Sequence, residues 1–376
     1  MIVGFDATTL SGRMSGVGYY TARLMESLAN GAGEGQLERL VVLSNRSVSV
    51  PHGGRVEVYD RHRFGVRSVW MQLLLPRILN ELKPDLVHFT NYLAPLASRV
   101  PYVVSFHDMT LSLFPSYHTL KKRLLTASLI PAVGRRAQMI LTPSEATRRD
   151  VVRLLGVAPE RVRVIPYAPA PLFRPTPQGS EQLAALYGIR RPYFLYVGTL
   201  EPRKNLGRAL RAFARASSEL PEHCFVLVGE RGWKYQEVLR EAGQPELAGR
   251  VLFLGYVEEQ QLPLLYSHAT ALVYPSLYEG FGLPVVEAMA CGTPVLTSRS
   301  SSLAEISEGA ALLVDPEDEE ALADGLRALG LDVTLRRSLA ERGLARAAVY
   351  SWQRTGRETL AAYRAVHEAA RATRPR

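Results

Sequence analysis

Two glutamates on either side of a glycine turn are the residues of this sequence best placed to do chemistry. Glu279 and Glu287 are eight positions apart in the stretch "YEGFGLPVVE", which follows the buried-strand pattern "ALVYPS". Gly280 and Gly282 allow the backbone to approach a ligand closely, and Pro284 suits the first turn of a helix. Two carboxylates placed in this way either exchange protons with a substrate or bind its hydroxyl groups.

The start of the predicted helix favours the second role. Backbone N–H groups at a helix start bind anions, best of all a phosphate, and a carboxylate that faced a diphosphate directly would repel it. We therefore expect Glu287, one turn into the helix, to bind a sugar hydroxyl beside the phosphate, while Glu279 projects towards the mouth of a cleft. An ordinary strand–loop–helix with glutamates at the helix start fits the same pattern.

A basic pair lies in the same half of the chain. Arg203 and Lys204 follow a strand that Gly198 closes, in the stretch "YVGTLEPRKNLGRAL". A guanidinium and an ammonium group side by side can bind a diphosphate leaving group and offset its growing charge. The alternative is a solvated basic pair, which the second candidate phosphate site nearby makes less favoured.

The first half contributes one histidine and one glycine loop. His107 ends the buried strand pattern "YVVSFH", where it can bind a substrate hydroxyl, position the reacting centre, or serve only as a polar strand end. The loop "SGRMSGVGYYTARL" contains Gly16 and Gly18 but lacks the G-x-G-x-x-G fingerprint with its acidic partner. It fits either an approach to a sugar or phosphate, or a tight turn.

Composition indicates a soluble globular protein of about two domains. The chain has 376 residues, with 47% hydrophobic and 22% charged residues. No apolar run reaches the ~18 residues that would span a bilayer, and "MIVGFDATTL" lacks the features of a signal peptide, so we expect a cytoplasmic protein. Cys224 and Cys291 lie in apolar surroundings, which predicts buried free thiols.

The positive charge is concentrated in the first half. Residues 1–168 contain 21 of the 45 Lys and Arg but 12 of the 36 Asp and Glu, which gives the whole formal net charge of +9. Such a half can attract an anionic membrane surface or substrate, or it can simply have solvated Arg-rich helix faces. Nucleic acid is not expected, because no recognition module accompanies the charge. The basic stretches are "RHRFGVR" (61–67), "KKR" (121–123), Arg135-Arg136 and Arg148-Arg149.

Strand and helix patterns alternate in both halves. Strand runs that are apolar on both faces predict parallel sheets covered by helices, and two such series predict two doubly wound α/β domains. The linker is the stretch 164–180, with five prolines. Ligands of such sheets bind at the carboxyl ends of strands. No P-loop, H-E-x-x-H, G-x-S-x-G or strand-end Asp-x-Asp motif is present, so we expect no metal.

Taken together, these stretches resemble the retaining nucleotide-sugar glycosyltransferases of family 4, which have the GT-B fold, over nearly the whole chain. The stretch "YEGFGLPVVEAMACGTPV" is similar to the family's E-x7-E signature, with Glu279 and Glu287. The stretch "VGTLEPRKNL" is similar to its diphosphate-binding turn, with Arg203 and Lys204, and "FHD" to its first-domain histidine, His107. The stretch "VLFLGYVEEQQLPLLYSHATALVYPS" matches the family's base-binding loop and the helix that follows.

The resemblance implies two Rossmann-like domains facing a cleft. Residues 1–168 would bind the acceptor, residues 169–350 the nucleotide sugar, and residues 351–376 would form a helix crossing back to the first domain. The substrates would be a nucleotide diphosphate sugar and the hydroxyl of a saccharide or lipid-linked acceptor, without a further cofactor. The basic first domain would allow peripheral contact with an anionic membrane at its inner face.

The resemblance also implies a role for each candidate residue. Arg203 and Lys204 would bind the diphosphate, Glu287 the ribose, and His107 would sit near the anomeric centre. The residues implied at the donor sugar are Glu279, Gly280, Phe281, Gly282 and Leu283; at the strand turn, Gly198; at the base, Tyr256 and Val257; and at the border of the cleft, Gly16 and Gly18. The implied mechanism is a front-face reaction in which the departing diphosphate takes the acceptor's proton.

The sugar and one loop are less well defined by the resemblance. The stretches "TLEPRKNL" and "SRSSSLAEI" are similar to relatives that build polysaccharide or glycolipid, often from GDP-mannose. Many relatives have Pro-Asn-Gly where this chain has "IPYAPAP", so Tyr167 and Ala168 predict a different acceptor site or hinge. The alternatives are a nucleotide-sugar epimerase of the UDP-GlcNAc 2-epimerase type and a non-catalytic sugar-binding protein on the same fold.

Overall fold

The computed structural model describes residues 1–12, 16–30, 37–50, 55–59, 64–115 and 120–372, without the side chains of residues 120–127. The chain divides into two compact units. One consists of Met1–Tyr167 with Ser351–Arg376, and the other of Ala168–Tyr350. Each unit is built on one parallel sheet with helices between the strands, which confirms the expected α/β fold with two Rossmann-like units.

The sheet of the first unit has the order β3-β2-β1-β4-β5-β6-β7, and each pair of neighbours is parallel. Its strands are β1 (Ile2–Asp6), β2 (Arg39–Leu43), β3 (Val56–Tyr59), β4 (Leu86–Phe89), β5 (Tyr102–Ser105), β6 (Met139–Thr142) and β7 (Val162–Val164). Its helices up to β7 are α1 (Gly16–Ala29), α2 (Arg67–Val69), α3 (Leu75–Leu82), α4 (Thr110–Leu113), α5 (Leu120–Arg136) and α6 (Glu145–Leu155), and a π-helical segment, Trp70–Leu74, joins α2 to α3.

The sheet of the second unit has the order β10-β9-β8-β11-β12-β13 and is also parallel. Its strands are β8 (Tyr193–Val197), β9 (Cys224–Val228), β10 (Val251–Gly255), β11 (Ala271–Tyr274), β12 (Val295–Ser298) and β13 (Leu312–Val314). Its helices are α7 (Ser180–Tyr187), α8 (Leu206–Ala216), α9 (Gln236–Ala242), α10 (Leu262–Ser267), α11 (Leu283–Ala290), α12 (Ser301–Ser307), α13 (Glu319–Leu331) and α14 (Val333–Ala347).

The last helix, α15 (Trp352–Ala372), packs within the first unit. Ser27 of α1 donates a hydrogen bond to the Trp352 carbonyl at 2.7 Å, and the Tyr363 hydroxyl bonds with Nδ1 of His88 on β4 at 2.6 Å. These contacts are buried or half-buried, so α15 contributes to the core of this unit.

The structure can be compared with three expectations from composition, on the cysteines, on membrane-spanning helices and on the basic stretches. Cys224 and Cys291 are buried free thiols, as expected. Among the described residues, no helix is both long enough and apolar enough to cross a membrane. Of the basic stretches, residues 61–63 and the side chains of 121–123 lie outside what the structure describes.

Candidate functional site

The candidate site of the second unit lies where its strand order reverses. The chain leaves β8 to build β9 and β10 on one side of the sheet, then returns to β11 on the other side of β8. Arg203 and Lys204 follow β8, and Glu279 follows β11, so these residues come from two neighbouring strand ends. Such switch points are where doubly wound sheets bind ligands.

The side chains from the two loops meet in a buried ion-pair cluster. Nη1 of Arg203 lies 2.8 Å from Oε2 of Glu279, and Nζ of Lys204 lies 2.6 Å from Oε1 of the same carboxylate. Tyr274 donates its hydroxyl proton to Glu279 Oε1 at 3.1 Å, and Arg203 Nη2 donates to Glu201 at 2.6 Å. The four charged groups sum to zero, and each charge has an opposite partner.

The cluster fixes the protonation state of Glu279. Burial by itself would raise the pKa of this carboxyl, but the positive charges of Arg203 and Lys204 outweigh it and lower the pKa to about 2. Burial lowers the pKa of Lys204, and Glu279 opposes that shift. A carboxyl with a pKa of about 2 is ionised at neutral pH and is a poor general acid there. Glu279 is therefore a fixed negative charge in this state.

Backbone contacts join the two loops. Residues Pro202–Lys204 form a 3-10 turn, and Asn205 follows in the left-handed conformation with φ 60°. The Asn205 amide donates to the Pro275 and Pro316 carbonyls at 3.2 and 2.6 Å, and the Leu277 N–H donates to the Arg203 carbonyl at 2.9 Å. These bonds hold the basic pair against the end of β11.

The turn after Glu279 is built against α12. Ser301 accepts a hydrogen bond from the Glu279 N–H at 3.0 Å, and Ser302 donates to the carbonyls of Glu279 and Phe281 at 2.8 and 2.9 Å. Gly282 has φ +106°, and a Cβ there would lie 2.6 Å from a methyl carbon of Leu303. Only glycine fits this position, and α11 begins at the next residue.

Glu287 occupies a different environment, one turn into α11. Its Oε2 accepts a hydrogen bond from the Tyr266 hydroxyl of α10 at 3.0 Å. Burial raises the pKa of Glu287 to about 7; the Tyr266 bond opposes this rise and the charge of Glu259 adds to it. The two glutamates of the motif therefore differ: one is held ionised, and the other titrates near neutral pH.

The remaining predicted residues of this unit lie at strand ends. Gly198 follows β8 with φ +148°, and a Cβ on Gly229, after β9, would lie 2.0 Å from the Gly198 carbonyl oxygen. Tyr256 and Val257 follow β10; the Tyr256 ring is 40% exposed, whereas Val257 is buried.

The remaining predicted residues, His107, Gly16 and Gly18, belong to the first unit. His107 follows β5, and both of its ring nitrogens are within hydrogen-bond distance of a partner, Tyr167 and the Thr90 carbonyl. Gly16 begins α1 and Gly18 is buried in its first turn. Residues 13–15 of that loop lie outside the described part.

Four contacts of the candidate residues were not predicted from the sequence. Glu201 and Tyr274 complete the ion-pair cluster, Tyr266 binds Glu287, and Tyr167 binds His107. Glu201 sits within the "TLEPRKNL" stretch, two positions before Arg203, which was its one available signal. The tyrosines read as core aromatics. Within the described residues, no group of three or more His, Cys, Asp or Glu side chains is arranged to hold a metal ion.

Comparisons with known proteins match both units. The family model "Glycosyl transferases group 1" matches residues 187–346, and the model "Glycosyltransferase Family 4" matches residues 14–168. The O-antigen chain mannosyltransferase B of Escherichia coli is 31% identical, over 93% of this chain and 96% of that protein. The D-inositol 3-phosphate glycosyltransferase of Acidothermus cellulolyticus is 30% identical, over 74% of this chain and 67% of that protein.

Solved structures match the fold over almost the full length. Sucrose-phosphate synthase from Thermosynechococcus elongatus superimposes with a TM-score of 0.77 at 22% identity, covering 98% of this chain and 99% of that one. Anabaena HepE, solved in complex with UDP and glucose, gives 0.75 at 20% identity, covering 97% and 99%. At these identities the likeness establishes the fold.

Proposed function

The chain belongs to the family 4 glycosyltransferases, and on that premise we propose that it transfers a hexose to a hydroxyl of a saccharide or glycolipid acceptor. The proposed hexose is mannose, and the proposed donor is GDP-mannose. The choice of mannose is supported by the similarity to O-antigen chain mannosyltransferase B. The observation that carries the proposal is the cluster of Arg203, Lys204 and Glu279 at the switch point between β8 and β11.

Donor binding in this proposal exchanges one set of ion pairs for another. In the ion-pair cluster, the positive charges of Arg203 and Lys204 are neutralised by Glu201 and Glu279. A diphosphate competes with Glu279 for the two cations, since charge-assisted bonds to phosphate are among the strongest available. Glu279, displaced from the basic pair, then accepts bonds from hydroxyls of the donor sugar beside the backbone of residues 280–283.

The rest of the nucleotide is assigned by position along the same unit. We assign the ribose hydroxyls to Glu287, whose carboxylate already accepts a hydroxyl bond from Tyr266. We assign the base to the loop of Tyr256 and Val257. We also propose that the diphosphate comes close to the backbone at the Gly198 turn. Acceptor binding by the first unit stays a prediction, as do the roles of His107, Gly16 and Gly18.

The proposed reaction retains the configuration of the sugar and uses no metal. Negative charge grows on the departing diphosphate, and Arg203 and Lys204 stabilise it, which lowers the barrier to departure. The departing phosphate takes the proton of the acceptor hydroxyl on the same face of the sugar.

We extend the proposal to peripheral attachment at the inner face of an anionic membrane. Around α2 and the π-helical segment, four apolar side chains are unusually exposed: Phe64 at 44%, Val66 at 52%, Val69 at 38% and Leu73 at 63%. They belong to the unit whose residues 1–168 contain the net charge of +9. Exposed apolar side chains on a unit with excess positive charge suit a bilayer with anionic lipid.

Product analysis tests the transfer itself. The protein is incubated with GDP-mannose and a panel of saccharide and lipid-linked acceptors, and products are identified by mass spectrometry and by the configuration of the new bond. Transfer of mannose with retention supports the proposal. Conversion of a nucleotide sugar without acceptor would instead indicate the epimerase, and absence of product with every donor and acceptor would indicate the sugar-binding protein.

Binding of GDP tests the role of the basic pair. Removing Arg203 and Lys204 alone would leave the buried Glu279 carboxylate without an opposite charge and endanger the fold. We therefore compare Glu279→Gln with the triple variant Arg203→Gln/Lys204→Met/Glu279→Gln by calorimetry. Glu279→Gln should bind GDP at least as tightly as wild type, because Arg203 and Lys204 are freed from the carboxylate. The triple variant should bind GDP at least about a hundredfold more weakly than Glu279→Gln. Equal affinities in the two variants would contradict the assignment.

A further inference from the structure

The ring of His107 in the first unit has a hydrogen-bond partner at each of its nitrogens. Its Nε2 lies 2.7 Å from the Thr90 carbonyl oxygen, and its Nδ1 lies 2.5 Å from the Tyr167 hydroxyl. A carbonyl oxygen only accepts hydrogen bonds, so Nε2 carries a proton and donates it. On a neutral ring Nδ1 is then the acceptor, and the Tyr167 hydroxyl donates to it.

The surroundings keep both partners neutral. Burial lowers the pKa of His107, against the opposing effects of the Thr90 carbonyl and Asp108. Burial also raises the pKa of Tyr167 well above its usual value, and Tyr20 and Asp108 add to that rise. Tyr167 thus keeps the proton that it donates. Since each nitrogen of His107 already has a partner, neither is available to a substrate while these bonds persist.

Tyr167 is itself held in place by the helix that ends the chain. Its ring stacks on Trp352 of α15, with centroids 6.4 Å apart and planes within 10°, and it contacts Tyr20 of α1 at 4.6 Å. Thr355 of α15 donates to the carbonyl of Pro166, the preceding residue, at 2.7 Å. Tyr167, in the stretch "IPYAPAP" that departs from the family pattern, is thus a buried aromatic ring with contacts on two helices.

We propose that Tyr167 is a positioning residue that, together with the Thr90 carbonyl, holds His107 as a neutral ring with its proton on Nε2. His107 then serves the transfer through the shape and orientation of its ring and backbone, and takes no part in proton transfer. The tautomer of His107 follows from the geometry of one unit alone. Its role in the transfer rests on the proposed function.

The tautomer is measured directly by nitrogen NMR of the histidine rings in the full-length protein at neutral pH. We expect a His107 signal with Nε2 protonated and Nδ1 unprotonated but hydrogen-bonded. In Tyr167→Phe, the Nδ1 resonance should move to the position of a nitrogen without a donor. A protonated ring, a proton on Nδ1, or an unmoved resonance in the variant would overturn the proposal.

The chain supplies a matched control. Tyr363 bonds Nδ1 of His88 at 2.6 Å in the same unit, so Tyr363→Phe removes an equivalent hydroxyl from another buried pair. Its direct effect should be on the His88 resonances. His107 is reached from His88 through Ser105 and Tyr20, so its Nδ1 resonance should keep the position of a hydrogen-bonded nitrogen. Tyr363→Phe also shows how much of any loss of activity in Tyr167→Phe comes from reduced stability of the unit.

Kinetics separate positioning from stability. Tyr167→Phe should lower kcat roughly tenfold or more with the donor KM unchanged, because small displacements of a group at the reacting centre are costly. Tyr363→Phe should leave kcat near wild type. Wild-type kcat in Tyr167→Phe, or an equal loss in both variants, would overturn the positioning role. An inactive wild-type protein would contradict the proposed function, and the tautomer measurement would still decide the geometry.

Discussion

At the residue scale, the two glutamates of one motif have opposite electrostatics. Two cations hold Glu279 ionised, with a pKa of about 2, whereas burial raises the pKa of Glu287 to about 7. Separated pKa values are also the mark of an acid/base pair, so the pKa of Glu287 alone would suit a general base. Its hydrogen bond places it instead against Tyr266 of α10. The pair therefore suits two binding carboxylates better than proton exchange.

The raised pKa of Glu287 predicts a stability cost at high pH. Its folded pKa of about 7 exceeds the ordinary value of 4.5, so the folded state binds more protons between these values and loses stability as pH rises through them. Glu287→Gln should therefore raise the free energy of unfolding at pH 8 by up to about 3 kcal/mol, and leave it nearly unchanged at pH 4. Urea unfolding at the two pH values measures this difference.

Glu279 provides the opposite control. Its folded pKa lies below 4.5, so its ionised form stabilises the fold above that pH, and the stabilisation is lost as pH falls towards 2. Glu279→Gln should thus lower stability at pH 8. If Glu287→Gln is less stable than wild type at pH 8, the buried environment assigned to this carboxylate is wrong. A raised donor KM in Glu287→Gln would agree with its assignment to the ribose.

At the element scale, the start of α11 depends on one glycine. Gly282→Ala introduces a Cβ 2.6 Å from a methyl carbon of Leu303 at φ +106°, so both sterics and backbone conformation oppose it. We expect a loss of about 2 kcal/mol or more in urea unfolding. Gly188→Ala is the matched control, since that residue has φ +67° with nothing within 4 Å. Equal losses of unfolding free energy in the two variants would show that the contact between Gly282 and α12 does not contribute to stability.

The strands were largely predictable, because buried strands of parallel sheets are continuous apolar runs. The exception is β3, "VEVY", whose residues are half-buried or exposed at the edge of the sheet. The motif residues Arg203, Lys204 and Glu279 were found as separate patterns. The ion pairs between them were not predictable from local spacing. They depend on the pairing of β8 with β11, which lies about 75 residues further along the chain.

The same limit applies to the pairs made by tyrosines. Tyr274 and Tyr266 each read as one more apolar residue of a strand or helix, yet each binds a glutamate of the motif. Tyr167 was noticed only as a departure from the family pattern. A buried tyrosine hydroxyl needs a partner, so burial predicts that such bonds exist but does not identify the partner.

At the scale of the whole molecule, charge and exposed apolar surface coincide in one unit and make the membrane proposal testable. Val69→Glu/Leu73→Glu should reduce binding to vesicles containing anionic lipid roughly tenfold or more, because each new charge faces the negative surface and apolar contact is lost. The matched control is Leu331→Glu/Val333→Glu, which changes side chains 61% and 65% exposed in the other unit and should leave binding unchanged. Vesicle flotation measures both. Equal binding to neutral vesicles, or equal effects of the two double variants, would contradict the proposed membrane attachment. Neither outcome would bear on the proposed transfer to soluble acceptors.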